Sequence, residues 1–207
     1  MIAIVDYKAG NLTSVKLAFD AIGVEARVTD RADEILAAER VVFPGVGAAG
    51  ASMHHLAELK LAETLRTVVA RGTPFLGICV GMQILFDRSE EDGGTKTLGF
   101  IPGDVRLFRP TSPADKVPQI GWNTVRFQRP HPIFAGVENE TEFYFVHSYY
   151  PVTANPADRV GVTDYAGVEF TSIVGRANLV ATQFHIEKSG RIGLSIFKNF
   201  SRWDGQC

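Results

Sequence analysis

The chain has 207 residues, of which 45% are hydrophobic, and its formal net charge at pH 7 is −2. A chain of this length and composition buries a substantial core, and its near-neutral charge gives no sign of a nucleic-acid partner. No apolar stretch approaches the roughly 20 residues of a membrane span, and the first residues do not resemble a signal peptide. Two cysteines, Cys79 and Cys207, are too few for a disulfide scaffold. We therefore expect a cytoplasmic protein without membrane or nucleic-acid partners.

The first part of the chain alternates short apolar strands with segments of helical spacing. Strands are predicted at residues 2–6, 24–29 and 41–43, and helices at residues 15–22, 32–38, 51–59 and 61–70. Pro44 is expected to end the third strand. Such an alternation is typical of βαβ units, so we predict an α/β fold with a doubly wound, mostly parallel central sheet flanked by helices.

From residue 98 onward, prolines separate short runs of high β propensity. These runs favour an additional antiparallel, meander-like β portion in the C-terminal half, which completes the same core. A final helix at residues 191–200 is predicted to pack its apolar side chains on the sheet, and these are Ile192, Leu194, Ile196, Phe197 and Phe200. Since the sequence has no repeat, low-complexity tract or linker, we expect a single domain over residues 1–207.

The stretch Pro74–Phe86 carries the main functional signal. A short apolar run leads into Cys79 and a helical pattern follows it, which predicts a buried strand that turns sharply into a helix. Gly77 and Gly81 flank the cysteine as in the G-x-S-x-G nucleophile elbow, with cysteine in place of serine. Such a strained turn needs small neighbours and places the sulfur at a helix N-terminus, which favours the thiolate. A buried structural cysteine is the alternative, and the two glycines favour the nucleophile.

A cysteine nucleophile needs a base and a group that orients the base. His185 is the best candidate, because it follows the apolar run 179–184 and Glu187 lies two residues later. In extended backbone these two side chains point to the same side, which would let the carboxylate hold the imidazole. A helix N-terminal turn, in which Glu187 only complements the helix dipole, is the alternative. His147 is the second candidate for the base, and the weaker ones are His54, His55 and His131.

Thioacyl chemistry also needs donors for an oxyanion. The amide of Val80 directly follows the nucleophile, and the Val46 peptide is framed by Gly45 and Gly47, which leave it free to turn. The spacing up to Gly50 also matches a dinucleotide-binding loop, but that signal is weak. No residues around the cysteine show paired zinc-ligand spacing, so we expect neither a metal nor a cofactor.

Together these residues resemble the class I, triad-type glutamine amidotransferases. The likeness rests on Gly77-Ile78-Cys79-Val80-Gly81-Met82-Gln83, on Phe184-His185-x-Glu187-Lys188-Ser189 and on Pro44-Gly45-Val46-Gly47. More narrowly, the chain is similar to the glutaminase subunits of imidazole glycerol phosphate synthase through Asp6-Tyr7-x-Ala9-Gly10-Asn11-Leu12, Gly121-Trp122-Asn123 and His147-Ser148-Tyr149. The resemblance covers nearly the whole chain and implies the flavodoxin-like α/β fold of that family.

The resemblance implies that Cys79 attacks the side-chain amide of glutamine, with His185 as the base and Glu187 orienting it. A γ-glutamyl thioester and ammonia would form, and water would then release glutamate. The oxyanion donors would be the amides of Val46 and Val80. The resemblance further implies a set of glutamine-binding residues, with Glu91 meeting the α-amino group, and these are Gly47, Gln83, Glu91, His147, Ser148 and Tyr149.

A heterodimer is also implied, in which ammonia passes to a (β/α)8-barrel cyclase subunit of histidine biosynthesis. That subunit would make imidazole glycerol phosphate and an aminoimidazole carboxamide ribotide. The positions that match interface residues of the family are Asn11, Trp122, Tyr144 and Lys188.

Three positions depart from the family pattern. Ile186 replaces a usual proline between base and carboxylate, and the freer backbone is expected to loosen their geometry unless it stays extended. Val80 replaces leucine, and Lys8 replaces glycine near the expected partner surface. Four alternatives remain open. They are a paralogous subunit that supplies ammonia for surface-sugar amidation, a subunit of another synthase, a γ-glutamyl peptidase of the same fold and a non-catalytic module.

Overall fold

The computed structural model describes residues 1–8 and 10–206. Ala9, part of the N-terminal motif, and Cys207, one of the two cysteines, lie outside the described residues. The elements of the first part are β1 (Ile2–Val5), α1 (Leu12–Ala21), β2 (Ala26–Thr29), α2 (Ala32–Ala37), β3 (Arg40–Gly45), α3 (Ala49–Glu58), α4 (Leu61–Ala70), β4 (Phe75–Cys79) and α5 (Val80–Gln83).

The second part is rich in strands and closes with one long helix. Its elements are β5 (Arg88–Ser89), β6 (Thr95–Lys96), β7 (Gly103–Leu107), β8 (Gln119–Phe127), β9 (Thr141–His147), β10 (Tyr149–Thr153), β11 (Arg159–Tyr165), β12 (Val168–Arg176), β13 (Leu179–Thr182) and α6 (Gly190–Phe200). Short 3-10 turns lie at Glu91–Gly93, Pro132–Phe134, Pro156–Asp158 and Ile186–Lys188.

Among the described residues, nine strands form one sheet in the order β2-β1-β3-β4-β13-β12-β11-β8-β9. The five strands from β2 to β13 run parallel, and the remaining four are joined by antiparallel ladders. A second sheet has the order β10-β7-β5-β6. The predicted fold class is therefore confirmed, with its parallel core and its antiparallel C-terminal portion.

The parallel strands are apolar because they are buried on both faces. All four residues of β1 and all five of β4 are buried. Helices cover this core, and α1 packs on α6 with the Phe19 and Phe197 ring centroids 4.8 Å apart. The predicted burial of Ile196, Phe197 and Phe200 on the last helix is confirmed. Ile192 is 39% exposed, so its predicted burial is wrong.

The third strand is longer than the sequence predicted. Its ladder with β1 ends at Val42, but its ladder with β4 continues through Pro44 and Gly45. Proline lacks a backbone N–H, and it is tolerated here because one neighbouring ladder has already ended. None of the described helices combines the length and apolarity that would let it cross a membrane.

Candidate active site

The turn at Cys79 is the structural centre of the site. Cys79 ends β4 with φ 56° and ψ −115°, and Val80 is the first residue of α5. A non-glycine residue in such a conformation costs about 1–3 kcal/mol, and this strain is characteristic of nucleophile elbows. Glycine is required nearby, because a Cβ on Gly81 would stand 1.9 Å from the Phe43 carbonyl oxygen. A Cβ on Gly77 would stand 2.8 Å from the Gly81 carbonyl oxygen.

Three parallel strands bring their carboxyl ends to the same edge of the sheet as this turn. Gly45 at the end of β3 pairs directly with Cys79, and β13 lies on the other side of β4. A Cβ on Gly45 would stand 2.5 Å from the Gly81 amide nitrogen, so the end of β3 packs closely on the elbow. Ligands of open α/β sheets bind at this edge.

The predicted partners His185 and Glu187 are in contact. The His185 Nδ1 and Glu187 Oε1 atoms are 2.7 Å apart, and the two side chains are 2% and 1% exposed. The local backbone differs from the expectation, because Glu187 lies in the 3-10 turn Ile186–Lys188 rather than in extended chain. Ile186 is buried in that turn. The pair is therefore formed with isoleucine at the position where the family usually has proline, and the expected loosening is not observed.

The electrostatics of His185 match this pairing. Burial lowers its pKa, but interactions with the Cys79 sulfur and the Glu187 carboxylate outweigh burial and raise the pKa to about 10. The buried Nε2 atom has no hydrogen bond of ordinary geometry to any described residue. Such contacts are often long in free enzymes and tighten when the substrate binds. At neutral pH an imidazolium faces the sulfur, and its charge stabilises a thiolate.

Two buried glutamines link the cavity wall to the Cys79 sulfur. The sequence analysis did not place this pair at the nucleophile. Gln83 donates from Nε2 to the Tyr149 carbonyl oxygen at 2.9 Å and to Gln183 Oε1 at 3.0 Å. Gln183 donates from Nε2 to Cys79 Sγ at 3.7 Å. Gln183 was missed, although the alternation that links His185 to Glu187, applied backwards, marks residue 183 as a polar residue on the same face.

His147, the second candidate for the base, differs from His185 in its protonation state. Burial lowers its pKa to about 4, so the ring is neutral at pH 7. Its Nδ1 lies 2.7 Å from the Tyr149 carbonyl oxygen. Because a carbonyl only accepts, Nδ1 carries the proton and Nε2 is a free acceptor. This buried Nε2 finds no partner among the described residues.

Nearly all the predicted site residues line one cavity of about 260 Å³. This volume is slightly below the range of about 300–1,000 Å³ that is typical of drug-sized ligands, and it suits a small metabolite. The predicted residues that line it are Val46, Gly47, Cys79, Val80, Gln83, Glu91, His147, Ser148, Tyr149 and His185. Glu187 lies behind His185, and Pro118 and Val146 complete the wall.

Glu91 is the acidic residue of this cavity. It is half-buried, and burial raises its pKa, while the Ala49 amide donates to its Oε2 at 2.6 Å. Ala49 is the first residue of α3, so the carboxylate caps that helix directly after the glycine-rich loop. A phosphate would have to compete with this carboxylate, which argues against the dinucleotide-loop alternative.

Three of the four predicted interface residues form one cluster. The Trp122 and Tyr144 rings are 6.1 Å apart, and Lys188 Nζ lies 5.5 Å from the centroid of the Tyr144 ring. Trp122 is 55% exposed and its neighbour on the same face, Ile120, is 64% exposed. Asn11 stands at the N-terminus of α1 and its side chain makes no capping bond there.

The three weaker histidine candidates lie outside the cavity. His54 is exposed on α3, beside the half-buried His55, and His131 packs near Trp203 with its ring centroid 5.0 Å away. Within residues 1–8 and 10–206, no three His, Cys, Asp or Glu side chains come together as a metal site would require.

Comparison with known proteins agrees with this geometry. The family described as glutamine amidotransferase class-I matches residues 3–202. The chain is 49% identical over 208 residues to the imidazole glycerol phosphate synthase subunit HisH of Nitratidesulfovibrio vulgaris strain DP4, covering 98% of this chain and 96% of that one. The same subunit of Methanocaldococcus jannaschii is 46% identical over 202 residues, covering 97% and 98%.

Among solved structures, PurLQS from Thermotoga maritima superposes with a TM-score of 0.72 at 18% identity, covering 97% of both chains. At that identity the likeness concerns the fold alone. The sequence relationships go further, because they extend over nearly the full length of both proteins. The chain belongs to the class-I glutamine amidotransferases and, within them, to the family of imidazole glycerol phosphate synthase subunits HisH.

Proposed function

We propose that the chain hydrolyses glutamine to glutamate and ammonia through Cys79, His185 and Glu187. The Cys79 thiolate attacks the side-chain carbonyl carbon of glutamine, and a tetrahedral intermediate forms. His185 gives its proton to the leaving nitrogen, so ammonia departs and a γ-glutamyl thioester remains. His185 then takes a proton from water, and the hydroxide adds to the thioester. Collapse of this adduct releases glutamate and expels the Cys79 thiolate, while His185 keeps its proton, so the thiolate and the imidazolium are restored.

The observation that supports this proposal most strongly is the alignment of three buried groups at one sheet edge. Glu187 holds Nδ1 of His185 at 2.7 Å, so the opposite ring nitrogen is directed away from the carboxylate and towards Cys79. The negative charge of Glu187 stabilises the imidazolium, and the imidazolium stabilises the thiolate. The amide of Val80, directly after the nucleophile, would donate to the oxyanion, and the Val46 amide in the adjoining loop would be the second donor.

We further propose that the cavity is a glutamine site. Its half-buried Glu91 carboxylate matches the α-ammonium group of an amino acid, and the free Nε2 acceptor of His147 matches an N–H donor. Gly47, Gln83, Ser148 and Tyr149 would complete the contacts. Both N–H groups of Gln83 are already used, so only its Oε1 is left for the substrate.

The ammonia, in our proposal, passes to a (β/α)8-barrel cyclase subunit bound at the surface around Asn11, Trp122, Tyr144 and Lys188. Ammonia released into bulk water would be protonated and lost as a nucleophile, so a direct path is needed. The support is an exposed aromatic cluster next to the base, since Lys188 directly follows Glu187. Exposed aromatic residues are enriched at protein interfaces.

The Cys79→Ala variant tests this function in the complex with the cyclase. It should abolish glutamate release and glutamine-dependent synthesis of imidazole glycerol phosphate, whereas synthesis from added ammonium salt should stay at the wild-type rate. The matched control is Cys207→Ala, which should keep both activities. Glutamate release by Cys79→Ala would overturn the assignment of the nucleophile.

A further inference from the structure

The Cys79 sulfur receives a side-chain hydrogen bond that the proposed triad does not explain. Gln183 is 0% exposed, and its Nε2 lies 3.7 Å from Sγ. Its backbone amide donates to the Ser172 carbonyl oxygen at 2.9 Å, which holds the residue against β12. A buried amide fixed in this way has little freedom to leave the sulfur.

The direction of this hydrogen bond is set by a backbone group in the cavity wall. The Tyr149 carbonyl oxygen only accepts, so the amide of Gln83 must turn its Nε2 towards it. The second N–H of that nitrogen then points at Gln183, which must present Oε1. The remaining end of Gln183, its NH2 group, therefore faces Cys79.

We propose that Gln183, oriented by Gln83 and the Tyr149 carbonyl, is a positioning residue for the Cys79 thiolate. The inference rests on the proposed function, in which Cys79 is the nucleophile. A hydrogen bond to the charged form of a group favours that form, so the Gln183 amide stabilises the thiolate and fixes its direction.

The pH dependence of Cys79 alkylation by iodoacetamide tests this role without any need for glutamine. A Cys207→Ser background leaves Cys79 as the one thiol of the sequence. Gln183→Met has a similar side-chain length but no donor. Its alkylation curve should move to higher pH by about 0.5–1 pH unit, with an unchanged plateau at high pH.

Three further variants distinguish positioning from packing. Gln83→Met leaves Gln183 in place but frees its orientation, so its curve should move in the same direction by less, and the double variant should match Gln183→Met. Gln119→Met replaces another buried glutamine, which makes no bond to the sulfur, and its curve should stay at the wild-type position.

An unshifted curve for folded Gln183→Met would overturn the inference, even if glutamine turnover fell. If that variant does not fold, Gln83→Met decides the question. A shift of its alkylation curve to higher pH supports the proposed role of Gln183, and an unshifted curve contradicts it. Failure of the glutaminase function would be seen separately, as the absence of glutamate release by the unmodified chain.

Discussion

The Glu187 carboxylate and the His185 imidazole are joined at 2.7 Å by a 3-10 turn with buried Ile186 between them. The turn allows Glu187 to reach back to Nδ1, and both side chains are shielded from water. Because Nδ1 is occupied, the proton that moves during a reaction sits on Nε2, on the side of Cys79. In the proposed reaction, this short turn thus fixes which ring nitrogen carries the mobile proton and the direction in which His185 faces.

Glu187→Gln should test the charge of this carboxylate. A glutamine of the same size still accepts from Nδ1–H but no longer stabilises the imidazolium, so the pKa of His185 should fall. We expect kcat for glutamate release to drop by about 10²-fold, with a smaller change in KM. Steady-state kinetics of the variant in the complex would measure this. Glu142→Gln, an exposed carboxylate on β9, is the matched control, and equal activity of the two variants would contradict the role of Glu187.

Gly81→Ala should break the elbow. The new Cβ would stand 1.9 Å from the Phe43 carbonyl oxygen, so the backbone must move, and overpacking of this kind costs about 1–3 kcal/mol or more. Urea unfolding should show this loss, and glutamate release should be abolished. Gly47→Ala is the contrasting variant, because its Cβ would meet nothing within 4 Å, although φ is +90°. It should cost only the smaller backbone strain, and identical unfolding curves for the two variants would contradict the steric argument.

The stability of the fold should fall in mild acid because two buried histidines resist protonation. Burial lowers the pKa of both His131 and His147 to about 4 from an ordinary 6.5. Between pH 6.5 and 4 the unfolded chain therefore binds more protons than the folded chain, so the free energy of unfolding decreases as pH falls. Each histidine contributes a slope of up to about 1.4 kcal/mol per pH unit.

Urea titrations from pH 4.5 to 7 would measure that slope. Of the two histidines, His131 lies outside the active-site cavity. In His131→Gln the free energy of unfolding should therefore depend less steeply on pH than in the wild type. His54→Gln, at an exposed histidine, should keep the wild-type slope. Parallel lines for the wild type and His131→Gln would show that His131 is not the acid-sensitive group.

Trp122→Ala should weaken the proposed complex with the cyclase. The indole is 55% exposed, and tryptophan is among the residues whose truncation at an interface costs most. We expect Kd to rise at least about tenfold, with unchanged stability of the isolated chain. Titration calorimetry would provide the value. Glu63→Ala, at a side chain 84% exposed on α4, should bind as the wild type does, and a Kd for Trp122→Ala equal to that of this control would place the interface elsewhere.

Much of the fold followed from short-range patterns. Apolar runs predicted the parallel strands, and Gly77 and Gly81 predicted the sharp turn, since the strained backbone at Cys79 is a feature of the local chain. The predictions failed where contacts with residues distant in sequence determine the extent of a strand or the burial of a side chain. Pro44 stays in β3 because the ladder with β1 ends before it, and Ile192 is exposed although its spacing suits a buried face.

In the site, too, local sequence patterns predicted some features, and contacts between distant residues determined the others. The spacing of His185 and Glu187 suggested their pairing, but the proposed reason, extended backbone, was wrong, because Glu187 lies in a 3-10 turn. Gln183 was missed because its role arises from contacts with Gln83 and Cys79, which are 100 and 104 residues away in sequence. Side-chain alternation indicates a face, but only the assembled sheet shows what that face meets.

The most direct test of the central proposal is glutamate release from glutamine by the purified chain, alone and with the cyclase subunit and its nucleotide substrate. We predict slow release alone and strong stimulation by the loaded cyclase, because the glycine-framed Val46 peptide is free to turn its N–H to the oxyanion when the partner binds. Glutamate release that is equal with and without the cyclase would support the proposed chemistry but contradict the proposed partner. If no glutamate is released under either condition, the proposed hydrolysis of glutamine is contradicted.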